Sequence, residues 1–185
     1  MCAKTLEAPV NRNSLLVLAL LLLPPAAHSQ AASSPVADAL RQSLARATKN
    51  MTAAAETMPA EKYTYRPTAP QMTYGHLVMH IAESNYRFCS ALSGVAAPEQ
   101  AKLAETDGKD KLVAAVRASF DFCGSSLAKL DDSHLTDQVE LFGGHSFSRA
   151  AAILVLAGSW SDHYSAQSIY LRLNNLLPPS AQPAK

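Results

Sequence analysis

The sequence predicts an all-α domain, a four-helix bundle, on three observations. Apolar residues recur at steps of three, four and seven in four separate stretches. Glycine is scarce, seven in 185 residues, and β-branched runs are few, so local propensity favours helix over sheet. Pro, Gly and short polar residues gather between the four stretches rather than inside them. No stretch reads as a convincing strand, and no internal repeat is visible.

Residues 1–29 stand apart from the fold. Lys4 and Arg12 give a positive start, and Ser14 to Leu23 is an apolar run too short for the about 20 residues of a membrane span. Pro24 and Pro25 break that run, and Ala27-His28-Ser29 offers small residues where a signal peptidase reads. The expectation is a secretory signal peptide, cleaved after Ser29 or shortly beyond, and an exported product, periplasmic or secreted. No Cys follows the cleavage region, so neither a lipid anchor nor membrane attachment after cleavage is expected. Residues 30–177 then make one domain with its own core. Without Lys4, Glu7 and Arg12 its formal charge is near zero, and it has no basic run. Nucleic acid and anionic membrane are therefore not expected as partners.

The first helix begins at Pro35. Ser34 is its cap, Pro35 suits the first turn, and Val36, Leu40, Leu44, Met51, Ala55 and Met58 form the stripe that Pro59 ends. In the following AEKYTYRPTAPQM, Pro67 and Pro70 force extended backbone on the residues before them. This reads as a surface connection, or as a segment whose Tyr63, Tyr65 and Arg66 cover one end of the bundle. The second helix runs from about Thr73, a capping residue, to Ser93, with Gly94 as its stop; Leu77, Ile81, Phe88 and Leu92 mark its stripe. Gly94 to Asp110 is long for a link between adjacent antiparallel helices, which points to a crossover. Val113, Val116, Phe120, Cys123, Leu127 and Leu130 define the third helix, and Asp131 to Gly144, holding His134 and the Gly143-Gly144 turn, is another connection. The last helix spans Ser146 to Asn175. Ile153, Leu156, Trp160, Tyr164 and Leu171 gather on one of its sides; Ser148, Gly158, Ser161, Ser165 and Arg172 gather on the other. Residues 178–185 are expected to be a disordered tail.

Two groups of side chains carry chemistry. Cys89 and Cys123 are the cysteines left once Cys2 departs with the leader. An exported protein can bridge such a pair, and two separate buried thiols are the alternative. His80 and His163 lie on different helices, on or beside core-facing stripes. Neutral imidazole is the commonest side-chain ligand for zinc and similar metals, and bundle interiors host such sites. The other reading is two half-buried histidines bonded to Tyr, Ser or backbone groups. The Glu-x-x-His pairs of a di-iron bundle, a Cys-x-x-Cys-His haem motif, a phosphate loop and a G-x-S-x-G elbow are all missing from the sequence.

Three segments, MPAEKYTYRPT, YGHLVMHIAESNYRFCSAL and SDHYSAQSIYLRLNNLLPPS, resemble the DinB-like family of exported bacterial proteins. The most specific pieces are His80-Ile81-Ala82 with Asn85-Tyr86, and the ending HYxxQxxxYLR before Pro178-Pro179. The resemblance implies a four-helix bundle with helix order 1-2-4-3. It also implies a divalent-metal site, zinc or nickel, made by one His on the second helix and an H-x-x-x-H step on the last. His80 and His163 match two of those positions, and the third is Ser159, a departure from the pattern. His76, one turn before His80, points away from the stripe, and Asp162 faces a different direction from His163. If the site is active, the resemblance implies a metal-dependent thiol transferase or isomerase acting on a small-molecule or thiol ligand, and a homodimer is a further expectation. The competing reading is a non-catalytic binding or interaction module that has lost the site.

Overall fold

In the computed structural model the described residues are 34–183, so the expected signal peptide lies outside them. Four helices carry the domain: α1 (Pro35–Thr57), α2 (Tyr74–Ser93), α3 (Lys109–Ser126) and α4 (Arg149–Leu173). No helix among the described residues is long and apolar enough to cross a membrane. The stripes read from the sequence face inward, with Leu40, Met51, Ile81, Phe120, Leu156 and Leu171 all at most 2 % exposed.

The helix ends show how local chemistry positions each element. Thr73 Oγ1 accepts from the His76 amide at 3.1 Å and Ser148 Oγ from the Ala151 amide at 3.2 Å, each satisfying a first-turn donor. Gly94 closes α2 in the left-handed region at φ 72°. The cap of α1 departs from expectation. Ser34 makes no side-chain cap bond; instead both carboxylate oxygens of Asp132 accept from the Val36 and Ala37 amides at 2.9 Å. A carboxylate at a helix N-terminus is favoured by the amides and by the helix dipole together.

Cross-helix pairs fix the directions. Asn85 meets Ser119, and one turn on Cys89 meets Cys123, so α2 and α3 run parallel. Arg117 pairs with Glu56 while Arg41 reaches the Leu130 carbonyl, so α1 and α3 are antiparallel. Asn85 meets Trp160 and Met72 meets Tyr170, so α2 and α4 are antiparallel as well. Helix α1 packs on α3 and α4, and α2 packs on the same two. Around the bundle the order is therefore 1-4-2-3, which corrects the expected 1-2-4-3. The long segment 94–108 is a crossover between parallel helices, as its length suggests. It returns along the bundle to start a parallel neighbour, and Glu105 lies back at the beginning of α2, on Thr73 and His76.

Three further differences have local causes. A hairpin of β1 (Gln138–Leu141) and β2 (His145–Ser148), with Val139 opposite Phe147, stands where the sequence showed no strand, and α4 accordingly starts at Arg149 rather than Ser146. Val139 and Leu141 point inward and are buried, and Gly143 and Gly144 take the positive φ values, 79° and 99°, that the tight reversal requires. Segment 58–73 covers the end of the bundle. Tyr63 is 4 % exposed, and its hydroxyl and that of Tyr74 donate to the last-turn carbonyls of α1, Ala55 and Ala54, at 2.7 Å. Burial pushes both phenols far above their ordinary pKa. The tail is ordered to residue 183, against the disorder expected from 178: Pro178 is buried, and Tyr164 Oη donates to Ser180 Oγ at 2.7 Å. Residues 184 and 185 lie outside the described span.

Candidate metal centre between α2 and α4

The site begins with a buried polar chain through three helices. Trp160 Nε1 on α4 donates to Asn85 Oδ1 on α2 at 2.8 Å, Asn85 Nδ2 donates to Ser119 Oγ on α3 at 3.0 Å, and Ser119 Oγ donates to the Val116 carbonyl at 2.8 Å. Trp160, Asn85 and Ser119 are 3 %, 1 % and 0 % exposed, so each bond forms where an unmade one is costly. The chain sets the rotation of α4 against α2. His163 follows Trp160 by three residues and His80 precedes Asn85 by five, which places both imidazoles at the same level of the α2–α4 interface. Their ring centroids are 4.9 Å apart and their planes cross at 84°.

Each ring is held by a serine one turn away on its own helix. Ser84 Oγ lies 3.4 Å from His80 Nε2, and Ser159 Oγ lies 3.3 Å from His163 Nδ1. The two contacts mirror one another, since Ser84 follows its histidine by four residues and Ser159 precedes its own by four. Both imidazoles are half-buried, and burial pulls both pKa values below the ordinary histidine range; the neighbouring His80 lowers that of His163 further. At neutral pH both rings are uncharged, the form that binds metal. A cavity of about 390 Å³ opens beside His163, bounded by Gln71, Met72, Leu77, Asp162 and Tyr170.

The structure thus brings His80 and His163 together and leaves Ser159 bonded to His163. His76 turns away to Glu105, 3.1 Å from its carboxylate. Among the described residues no three His, Cys, Asp or Glu side chains form a group able to hold a metal. A tetrahedral zinc site takes three or four protein donors, so the residues present fit half of such a set. The sequence reading missed Ser84 and Met72. The mirrored His-x-x-x-Ser and Ser-x-x-x-His steps were the available signal for Ser84; Met72 has none, because it comes from the connection before α2.

The pKa directions fix a pH dependence. Both histidines have folded pKa values below their unfolded ones, so the fold binds protons less readily than the unfolded chain. Their contribution is whole above the unfolded value of about 6.5 and is lost as pH falls below it. We expect the melting temperature of metal-free protein to drop between about pH 7 and 5, and the drop to be smaller in His80→Gln/His163→Gln. Equal pH profiles for the two proteins would refute this.

Residues 43–165 match the family model of the DinB superfamily, a span that contains His80, Ser159 and His163. Two solved structures share the fold. A DinB-like protein of Bacillus subtilis, 21 % identical, superposes with a TM-score of 0.62 over 78 % of this chain and 99 % of its own. A DinB-like protein of Bacillus cereus, 14 % identical, gives a TM-score of 0.63 over 78 % and 97 %. No curated protein matches the chain. The family match runs from the middle of α1 into α4 and covers more than half of the sequence: the chain belongs to the DinB superfamily.

Proposed function

We propose that this DinB-like bundle is exported and that His80 and His163 bind a metal ion between α2 and α4, with water or an external ligand in the positions the protein leaves open. The observation that supports the site is the approach of two neutral imidazoles from different helices to 4.9 Å. A divalent ion held there, zinc or nickel, would act as a Lewis acid and lower the pKa of a bound water or thiol. The protein's own contribution is positional. The two imidazoles bind, Ser84 and Ser159 orient them, and the Trp160–Asn85–Ser119 chain holds the helices that carry them. Export is supported by the composition of residues 1–29 and by the joined cysteines, since disulfides persist in oxidising compartments.

Ser159 favours a second reading, a non-catalytic binding module that has lost the site. Metal content and affinity of the purified protein separate the two, measured beside His80→Ala and His163→Ala. The metal reading expects one bound ion per chain, lost in either variant, and a gain of about tenfold or more in divalent-ion affinity in Ser159→His, which restores a third imidazole. If no ion is retained at micromolar supply and none raises the melting temperature, the module reading stands.

A further inference from the structure

We infer that the ion this donor set selects is monovalent copper, held by His80, His163 and the thioether of Met72. The inference rests on the reading of the histidine pair as a metal site and replaces its divalent ion.

Zinc and nickel want three or more nitrogen, oxygen or thiolate donors, and the chain offers two imidazoles with a serine hydroxyl where a third would stand. Asp162 does not complete the set. Although it lines the cavity beside His163, it forms no three-donor group with the pair among the described residues. Monovalent copper is a softer ion, for which a thioether is a selective ligand and imidazole a good one.

Geometry then points to Met72. It stands on the wall of the cavity beside His163, and Tyr170 Oη fixes its backbone there by donating to the Met72 carbonyl at 2.7 Å. Met72 is 40 % exposed, so core packing does not account for a large thioether at this position. Each imidazole has one nitrogen beside a serine and keeps the other for a ligand. Rings with centres 4.9 Å apart are close enough for one ion to lie about 2 Å from a nitrogen of each. The third donor is assigned to Met72 because it lines the same cavity as His163.

The test titrates the purified protein with Cu(I) under anaerobic conditions, against bicinchoninate as competing chelator, and with Zn(II) and Ni(II) against chromophoric chelators. Ascorbate keeps copper reduced and leaves the Cys89–Cys123 bridge closed, so no thiol contributes. The expected result is one Cu(I) per chain, held about a hundredfold or more tighter than either divalent ion. His163→Ala should abolish it. Met72→Leu should keep the melting temperature, weaken Cu(I) about tenfold and remove the copper–sulfur distance from the X-ray absorption spectrum. Divalent ions bound as tightly as Cu(I), or Met72→Leu without effect on Cu(I), would overturn the inference and leave the metal site standing. A protein that retains none of the three ions overturns both.

Discussion

Opening the Cys89–Cys123 bridge, by Cys89→Ala/Cys123→Ala or by reduction, is expected to cost about 3–4 kcal/mol of stability. The two residues are 34 apart in sequence, with Cα atoms 5.2 Å apart, and both are fully buried. Closing a loop of that length removes conformational freedom from the unfolded chain, and the logarithmic loop law gives the magnitude. For a domain of this size the midpoint should fall by about 10 °C. A loss of that order is a large share of an ordinary domain stability of about 5–15 kcal/mol. Two measurements check it: thermal unfolding with and without a strong thiol reductant, and thiol titration of the unfolded, unreduced protein, which should find no free Cys. Two reactive thiols in that titration, or an unchanged midpoint on reduction, would reject it.

Asn85→Leu is expected to destabilise the domain by about 2–4 kcal/mol. The substitution keeps the branching of the side chain, with two bulkier methyls, but removes the acceptor of the Trp160 indole N–H and the donor to Ser119, all within the buried centre of the bundle. Most of the cost comes from the stranded indole N–H rather than from the bond itself, since a buried donor without a partner retains its full desolvation penalty. A double-mutant cycle isolates it. Trp160→Phe removes the orphan, so Asn85→Leu/Trp160→Phe should be less destabilised than the sum of the single variants by about 1 kcal/mol or more. Additive single effects would show that the chain does not act as a unit.

Much of the bundle is legible because its information is local. Each stripe follows a 3.6-residue period, so Leu40, Phe120, Cys123 and Leu156 can be placed inward from spacing alone. The same spacing places His80 beside its core-facing stripe and His163 within the apolar side of the last helix; both stand half-buried. Helix order is not local. A segment such as 94–108 is equally compatible with reaching a distant helix and with returning to start a parallel neighbour; the sequence holds the length of the link and not its direction. The hairpin is hidden for a different reason, since two inward residues, Val139 and Leu141, are too few to establish a period of two. Met72 is hidden because its surroundings are built by α4, far away in the chain, and for the same reason the sequence leaves Tyr63 open between a surface loop and a cover for the bundle end.

The carboxylate that caps α1 has a consequence for the order of assembly. Val36 and Ala37 find their acceptor at Asp132, more than ninety residues later. A chain made from its N-terminus holds α1 with its first-turn amides unsatisfied until α3 and the segment beyond it have emerged. The first helix to be synthesised is thus completed by one of the later pieces, and a free-standing α1 is marginal at best. Early fragments of the chain have no finished helix to commit to, and the docking that completes α1 is a late, long-range event of the kind that slows folding.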